Sequence, residues 1–192
     1  MYNKRIIPRL DIKGPNLVKG IHLEGFRVLG KPEDFAKLYY EQGADELIYQ
    51  DTVASLYQRN SLSEIISRTI KDVFIPITVG GGIRSLNDIN KVLRAGADKV
   101  CINTSAINNP EFIKEASREF GSSTIVVAIE VCLEKDEKYL AYTDNGREFT
   151  GKEVQAWAKE IENRGAGEIL LTSIDNEGTG KGFDLELINL IS

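Results

Sequence analysis

Short apolar runs alternate along the chain with longer segments of helical periodicity. Apolar runs bounded by turn residues predict buried strands, and repeats at three to four residues predict amphipathic helices. Strands are predicted at residues 4–10, 46–51, 75–79, 99–103, 123–130 and 168–175. Helices are predicted at residues 32–42, 61–72, 86–94, 110–120, 152–163 and 184–192. This alternation is typical of βαβ units and predicts a parallel sheet.

A polar or glycine residue stands at the end of nearly every predicted strand. In order, these residues are Asp11, Asp51, Gly80 with Gly81 and Gly82, Asn103 with Thr104, Glu130, and Asp175. In a TIM barrel the chemistry lies at this edge of the strands. An open doubly wound sheet would carry its phosphate-binding glycines after the first strand, whereas the triple glycine here follows the third. The pattern therefore favours an α/β protein of the (βα)8 TIM-barrel class.

An internal sequence repeat indicates that the barrel is built of two related half-barrels. GADELIYQD at 43–51 resembles GAGEILLTS at 165–173, and setting residues 5–13 against 124–132 places Asp11 opposite Glu130. Each half would then contribute one carboxylate. About six of the eight units of such a barrel are encoded. We expect residues 1–192 to form a single TIM-barrel domain that is truncated before strands seven and eight, or that obtains them from elsewhere.

Composition excludes several classes of function. The net charge of -5 argues against a non-specific nucleic-acid binder. Cys101 and Cys132 lack the spacing of a metal site, so we expect free thiols and no metal. No apolar run is long enough to span a membrane and the N-terminus lacks the apolar core of a signal peptide, so a cytoplasmic location is expected. No cofactor is predicted.

Seven motifs in order resemble the cyclase (synthase) subunit of imidazole glycerol phosphate synthase. They are KRIIPRLDIKG at 4–14, VKG at 18–20, DELI at 45–48, TVGGGI at 78–83, GADKVCINT at 96–104, VVAIE at 126–130 and GAGEILLTSIDNEGTGKG at 165–182. The resemblance implies a lyase of histidine biosynthesis. With ammonia from a glutaminase, such an enzyme converts a phosphoribulosyl formimino carboxamide ribonucleotide into imidazole glycerol phosphate and an aminoimidazole carboxamide ribotide.

The resemblance also implies two catalytic carboxylates. Asp11 matches the first, and Glu130 stands where the family has an aspartate. The added methylene of Glu130 shifts the carboxylate by about 1 Å, and a displacement of that size can cost roughly 10²-fold in rate. Arg9 is a second departure, because the family usually has a small residue there. Side chains two apart on a strand share a face, so Arg9 either acts on Asp11 or reshapes the substrate pocket.

Two phosphate sites are expected for the substrate. Gly81 and Gly82, with Gly80, would bind one phosphate through backbone N–H groups, together with Asn103 and Thr104. The alternative is a tight turn without a ligand. Glu177 and Gly178 match part of the second site, Thr172 matches a substrate-lining position, and Lys19 matches a substrate contact made on loop closure. His22, the single histidine, is expected to lie at the surface. Asp51 and Asp175 either line the pocket or cap helices.

Four charged residues at the starts of predicted strands match the gate through which ammonia enters in the family. These are Arg5, Glu46, Lys99 and Glu168, and Asp98 beside them matches a position that contacts the glutaminase. The alternative is a ring of salt bridges that closes the barrel bottom. The expected partners are therefore a glutaminase subunit in a heterodimer and a phosphorylated small molecule.

Two other functions stay open at this point. One is a cyclase-like paralogue that supports ammonia-dependent amidation of a surface-glycan sugar, which the changes at Arg9 and Glu130 also fit. The other is a non-catalytic scaffold that only activates a glutaminase.

Overall fold

The computed structural model describes residues 4–54 and 62–192. Contacts between Cα atoms divide the chain into two compact units. The first takes the described part of Met1–Val18 and Val28–Cys101, and the second takes Lys19–Arg27 and Ile102–Ser192. In the described part, no helix is long and apolar enough to cross a membrane.

The first unit contains parallel strands joined by helices. The strands are β1 (Arg9–Lys13), β2 (Asn16–Ile21), β3 (Glu24–Gly30), β4 (Leu47–Asp51), β5 (Ile77–Gly80) and β6 (Lys99–Ile102). The helices are α1 (Pro32–Glu41), α2 (Ser63–Thr69) and α3 (Leu86–Arg94). Strands β1, β4, β5 and β6 pair in parallel in that order, and β2 pairs antiparallel to β1. The tip of the β2–β3 hairpin belongs to the second unit.

Local sequence explains the helix starts of the first unit. Pro32 occupies the first turn of α1, where its missing N–H costs nothing, and Glu33 and Asp34 follow at the positive end of the helix dipole. Ser85 caps α3 by accepting a hydrogen bond from the Asp88 N–H at 3.2 Å. The helices cover an apolar face of the strands on which Leu10, Ile12, Leu47, Tyr49 and Val79 are all buried.

The second unit is built around one long strand. Its strands are β7 (Ile125–Leu133), β8 (Tyr139–Thr143), β9 (Glu148–Glu153) and β10 (Glu168–Ser173), and its helices are α4 (Thr104–Asn108), α5 (Glu111–Phe120), α6 (Val154–Asn163) and α7 (Leu185–Ile191). Strand β7 pairs in parallel with β10 and antiparallel with β8, which pairs antiparallel with β9. Ile125, Val127, Ile129 and Val131 on alternate positions of β7 are fully buried.

The predicted α/β class and the parallel pairing of strands are confirmed. Two local predictions were wrong. The first strand runs from Arg9 to Lys13 rather than over residues 4–10, and the predicted loop from Ile12 to Lys31 holds the β2–β3 hairpin. Pairing with β2 extends β1 past Asp11, which explains the shift. The predicted start of the second helix at residue 61 lies outside the described residues.

Candidate active site

The sequence predicted that Asp11 directly follows a strand. In the structure Asp11 lies within the strand. It is the third residue of β1, aligned with Gln50 on the parallel strand β4 and with Val18 on the antiparallel strand β2. The residue is 2% exposed. Asp11 therefore lies where β1 has a parallel partner on one edge and an antiparallel partner on the other. The side chains of a pleated strand alternate, so Asp11 faces away from the buried Leu10 and Ile12.

Arg9 forms an ion pair with both oxygens of the Asp11 carboxylate. Its Nε lies 2.9 Å from Oδ1, and its Nη2 lies 3.3 Å from Oδ2. The side chains are 16% and 1% exposed, so the pair is largely removed from water. Removal of one partner from a buried ion pair costs about 3–5 kcal/mol, because the remaining charge is left uncompensated. The predicted effect of Arg9 on Asp11 is thus a direct contact.

Glu130 occupies the corresponding place in the second unit. It lies on β7, aligned with Thr172 on the parallel strand β10 and with Tyr142 on the antiparallel strand β8. It is 9% exposed. Each predicted catalytic carboxylate thus stands where a strand has a parallel partner on one side and a hairpin on the other. Thr172 is buried beside Glu130.

A turn between β8 and β9 holds the Glu130 carboxylate. The backbone N–H of Gly146 donates a hydrogen bond to Glu130 Oε2 at 2.8 Å. Asp144, Asn145 and Gly146 all have positive φ, of 52°, 60° and 77°, which is the conformation these residue types adopt at least cost. The charged stretch at 133–151 was predicted as a loop with a small hairpin, and the letters DNG are a strong signal for its turn, but the contact with Glu130 was missed.

The glycine run of the first unit follows β5, as predicted. Gly81 and Gly82 have positive φ, of 105° and 70°. A Cβ on Gly80 would lie 2.2 Å from Gln50 Oε1, and one on Gly81 would lie 2.5 Å from the Asp51 carbonyl oxygen. Close packing against the backbone of β4 therefore requires glycine at Gly81, whether or not a phosphate binds there, whereas a side chain at Gly80 would displace the Gln50 side chain. Helix α3 begins only at Leu86, and its first turn is capped by Ser85.

Asn103 and Thr104 in the second unit contact the turn that holds Glu130. Asn103 Nδ2 donates to the Tyr142 carbonyl at 3.3 Å, and the Thr104 hydroxyl lies 3.4 Å from Asp144 Oδ1. Asn103 Oδ1 is buried and accepts no hydrogen bond from any described residue. A buried acceptor of this kind is available to a ligand N–H or O–H group.

Lys19 and Glu177, both predicted to contact substrate, form an ion pair with each other. The backbone around them is also tied together, because the His22 N–H donates to the Glu177 carbonyl at 2.8 Å. His22 Nδ1 lies 2.9 Å from the Ile174 carbonyl oxygen, so the histidine contacts the loop that follows β10. The tip of the β2–β3 hairpin is thereby held on this loop.

Gly178 allows this close approach, and its substitution gives a testable result. A Cβ there would lie 2.0 Å from the Gly20 carbonyl oxygen, and φ is +74°. Gly180 is a matched control, because its φ is +73° but nothing lies within 4 Å. Gly180→Ala should cost only the backbone strain of about 1 kcal/mol. Gly178→Ala should cost roughly 2 kcal/mol more in urea-induced unfolding, because backbone must shift. Equal costs would contradict the close packing of the hairpin tip.

Three of the four predicted gate residues meet in the first unit. Glu46, which is 6% exposed, forms ion pairs with Arg5 and with Lys99, whose Nζ lies 2.9 Å from Oε2. Glu168 is the first residue of β10 in the second unit. Arg5 precedes β1 by four residues instead of starting it, since the strand begins at Arg9. Asp98 is exposed, and its Oδ2 accepts a hydrogen bond from the Ile77 N–H at 2.8 Å.

The comparisons with known proteins identify the family. The family described as "Histidine biosynthesis protein" matches residues 5–192. The chain is 61% identical over 192 residues to imidazole glycerol phosphate synthase subunit HisF of Legionella pneumophila, covering all of the chain and 91% of that relative. It is 47% identical to the subunits of the same name from Streptococcus mutans over 192 residues and from Methanococcus vannielii over 212, covering 76% and 78% of them.

The chain belongs to the histidine biosynthesis protein family.

This membership confirms the resemblance to the cyclase subunit of imidazole glycerol phosphate synthase, and with it the prediction of an enzyme of histidine biosynthesis. The matched relatives are each named as a subunit, so they function within an assembly. The roles of individual residues are not fixed by membership of the family. They depend on the contacts described above.

The remaining polar candidates have structural partners. Asp51 Oδ1 accepts a hydrogen bond from the Val53 N–H at 3.0 Å, in the turn after β4. Asp175 is not the cap of the helix that follows it, and its Oδ2 accepts a hydrogen bond from the Leu133 N–H at 2.9 Å. Asp184 caps α7 instead. Burial and the nearby Asp175 raise the pKa of Cys132 to about 11, so this thiol is protonated at neutral pH and is a poor nucleophile.

One further residue beside Asp11 was missed from the sequence. Gln50 shares the register of Asp11, and its Oε1 is buried with no donor among residues 4–54 and 62–192. Glutamine before the predicted Asp51 carried no motif, so no sequence signal distinguished it from a solvated polar residue. Within the same residues, no group of three or more histidine, cysteine, aspartate or glutamate side chains could hold a metal ion.

Proposed function

We propose that this chain catalyses the ammonia-dependent cyclase reaction of imidazole glycerol phosphate synthase with Asp11 and Glu130 as its acid–base pair. The observation that carries the proposal is the equivalent placement of the two buried carboxylates, each aligned with a parallel strand and with a hairpin. Family membership supplies the reaction class.

The reaction needs proton transfer at two places. Ammonia adds to the ketone carbon of the substrate, and the former carbonyl oxygen must gain protons to leave as water. Closure of the imidazole ring and cleavage to the carboxamide ribotide need a second transfer. One carboxylate at each place meets these needs, and general acid–base catalysis of this kind contributes about 10²–10⁴-fold in rate. Which carboxylate serves which transfer follows from the orientation of the bound substrate.

Binding of the two substrate phosphates is proposed for the predicted residues. Gly81 and Gly82 offer backbone N–H groups after β5, and Asn103 and Thr104 offer polar side chains after β6. For the second phosphate we propose Lys19 and Gly178, with Thr172 lining the pocket. The ion pair of Lys19 with Glu177 places a cation at this loop.

The proposed partner is a glutaminase that supplies ammonia through a gate to which the predicted residues Arg5, Glu46, Lys99 and Glu168 belong, with Asp98 as a contact to it. The buried Glu46, bridging two cations, supports this gate because rearrangement of its ion pairs would open a path. We further propose a single TIM-barrel domain of two related half-barrels, with about six of eight units in this chain. A cytoplasmic location belongs to the same proposal and is supported by the biosynthetic family.

Glu46→Gln should separate the two sources of ammonia. Removal of the charge weakens the contacts of residue 46 with Arg5 and Lys99, so glutamine-dependent turnover with the glutaminase should fall about fivefold or more. Turnover with ammonium chloride alone should change less than about twofold, because exogenous ammonia can enter elsewhere. Both rates are measured on the same preparation.

Glu33→Gln is the matched control, because Glu33 pairs with the half-exposed Arg68 at 2.9 Å on the surface. Both of its rates should match those of the unsubstituted protein. An equal fall of the two rates in Glu46→Gln would contradict the gate and favour a purely structural salt bridge.

The glycan-amidation paralogue remains the second candidate, and the Arg9–Asp11 ion pair is the observation that favours it, since a re-purposed site would alter the surroundings of a catalytic acid. Complementation distinguishes the two. The chain should restore growth without histidine to a bacterium that lacks its own cyclase subunit, and Asp11→Asn should not. Failure of an expressed, folded chain to complement would exclude the histidine-pathway substrate in favour of a glycan or scaffold role.

A further inference from the structure

Arg9 is the charged residue of the site for which the proposed acid–base chemistry gives no role. It lies two residues before Asp11 on β1, and both side chains therefore project from the same face of the strand. Its Nε and Nη2 contact the two different oxygens of the Asp11 carboxylate, at 2.9 and 3.3 Å. The contact thus fixes the plane of the carboxylate as well as its charge environment.

The geometry of the contact leaves Asp11 able to react. A carboxylate has about four acceptor positions, and the hydrogen bond from Arg9 Nη2 to Oδ2 occupies one of them, while Nε lies at ion-pair distance from Oδ1. The rigid guanidinium restricts rotation of the carboxylate, whereas a lysine ammonium would provide a point charge without fixing a plane. With a side chain only 1% exposed, Asp11 has little water to orient it otherwise.

The register of the sheet gives the direction from which Arg9 approaches. Arg9 aligns with Ile48, Thr78 and Lys99 across β4, β5 and β6. Asp11 aligns with Gln50 and Cys101, one layer nearer the C-terminal ends of the strands. Arg9 therefore lies at the same level of the sheet as Lys99, and its side chain contacts Asp11 from the side of the N-terminal ends of the strands. The C-terminal side is the one on which TIM-barrel substrates bind.

We propose that Arg9 is a positioning residue for Asp11, holding the carboxylate plane in the orientation that the cyclase reaction requires. This inference rests on the proposed function. A positioning role predicts a different result from a purely stabilising ion pair. Loss of the Arg9 contacts should lower kcat with little change in KM, since the substrate contacts lie elsewhere.

The test is ammonium-dependent cyclase kinetics on purified full-length variants. Arg9→Met removes the Arg9 contacts, and kcat should fall about 10²-fold, the size expected for a misplaced catalytic group, while KM changes less than about threefold. Arg9→Lys keeps the charge and protects against unfolding, and its kcat should stay at least about tenfold below wild type because one ammonium cannot fix the plane. Arg68→Met, at the half-exposed pair with Glu33, should leave both constants unchanged.

Two further measurements separate positioning from stability. Millimolar guanidinium chloride should restore kcat of Arg9→Ala about tenfold, and sodium chloride at the same ionic strength should not. In a double-mutant cycle, Arg9→Met should have no further effect on kcat in the Asp11→Asn background, because Arg9 acts only through Asp11. Circular dichroism and thermal melting of each variant establish that the compared proteins are folded.

Several outcomes would overturn the inference. If wild type is active but folded Arg9→Lys and Arg9→Met match it, or if Arg9→Met acts fully in the Asp11→Asn background, Arg9 does not position Asp11. A rise in KM at constant kcat would instead make Arg9 a substrate contact. If wild type shows no turnover with ammonium, the proposed function itself fails, and the role of Arg9 in it falls with it.

Discussion

Asp11→Asn is expected to lower ammonium-dependent kcat by about 10²–10⁴-fold, the range in which a general acid or base contributes. The amide has nearly the shape of the carboxylate but cannot exchange the proton. Asp11 is 2% exposed and contacts Arg9 through both oxygens, so the substitution also removes the negative charge from a buried ion pair. The measurement is product formation at saturating substrate, on protein shown by circular dichroism to be folded.

Asp45→Asn is the matched control for Asp11→Asn. Asp45 is an exposed aspartate of the same unit, and its Oδ2 accepts a hydrogen bond from the Ile6 N–H at 2.7 Å. An asparagine can keep that hydrogen bond, so kcat should stay within about twofold of wild type. If the two variants lose activity equally, Asp11 has no special role in proton transfer.

Glu130→Gln is expected to give the other large loss, again about 10²–10⁴-fold in kcat. The glutamine oxygen can still accept the hydrogen bond from the Gly146 N–H that holds Glu130 at 2.8 Å, so position is preserved while proton transfer is removed. Glu130→Asp tests whether the length of the side chain matters. The shorter side chain loses this hydrogen bond, and we expect kcat to fall about tenfold because the carboxylate is displaced.

Glu134→Gln controls for the surroundings of Glu130. Glu134 follows the same strand and accepts a hydrogen bond from the Tyr142 hydroxyl at 2.5 Å, and this contact survives as a neutral one. Activity of Glu134→Gln should be close to wild type. Full activity of Glu130→Gln would remove Glu130 from the mechanism, and higher activity of Glu130→Asp would show that the glutamate is a tolerated but inferior replacement.

The two hairpins show why part of the fold was predictable and part was not. The hairpin after β7 turns at Asp144, Asn145 and Gly146, residue types that adopt positive φ readily, and a small hairpin was predicted there. The β2–β3 hairpin turns at His22 and Leu23, with φ of 53° and 61°. Neither residue is a turn signal, so residues 12–31 were predicted as a loop.

The predicted placement of Asp11, directly after the first strand, was wrong for the same reason. Because β2 was not predicted, the first strand was predicted to end at Leu10, since a charged residue interrupts a simple apolar run. The antiparallel pairing of Asp11 with Val18 supplies the missing hydrogen-bond partners and extends the strand to Lys13. Local pattern predicted the helices well, with α3 found at the predicted residues, since capping and periodicity are encoded within each helix.

Contacts between side chains were harder to predict from the sequence than the placement of residues on strands and helices. The cluster of Arg5, Glu46 and Lys99 could be expected from residues at strand starts. The pairing of Lys19 with Glu177 could not, because it joins residues far apart in sequence through backbone contacts at Gly20 and Gly178. Nor did any spacing indicate that the Gly146 N–H holds Glu130.

The most direct test of the central claim is turnover of the phosphoribulosyl formimino carboxamide ribonucleotide by the purified chain with ammonium chloride and no glutaminase. We predict release of imidazole glycerol phosphate and the aminoimidazole carboxamide ribotide in equal amounts, with turnover that falls by about 10²-fold or more in Asp11→Asn. Equal, background-level rates for wild type and Asp11→Asn would contradict the assignment of Asp11 and Glu130 as the acid–base pair of this reaction.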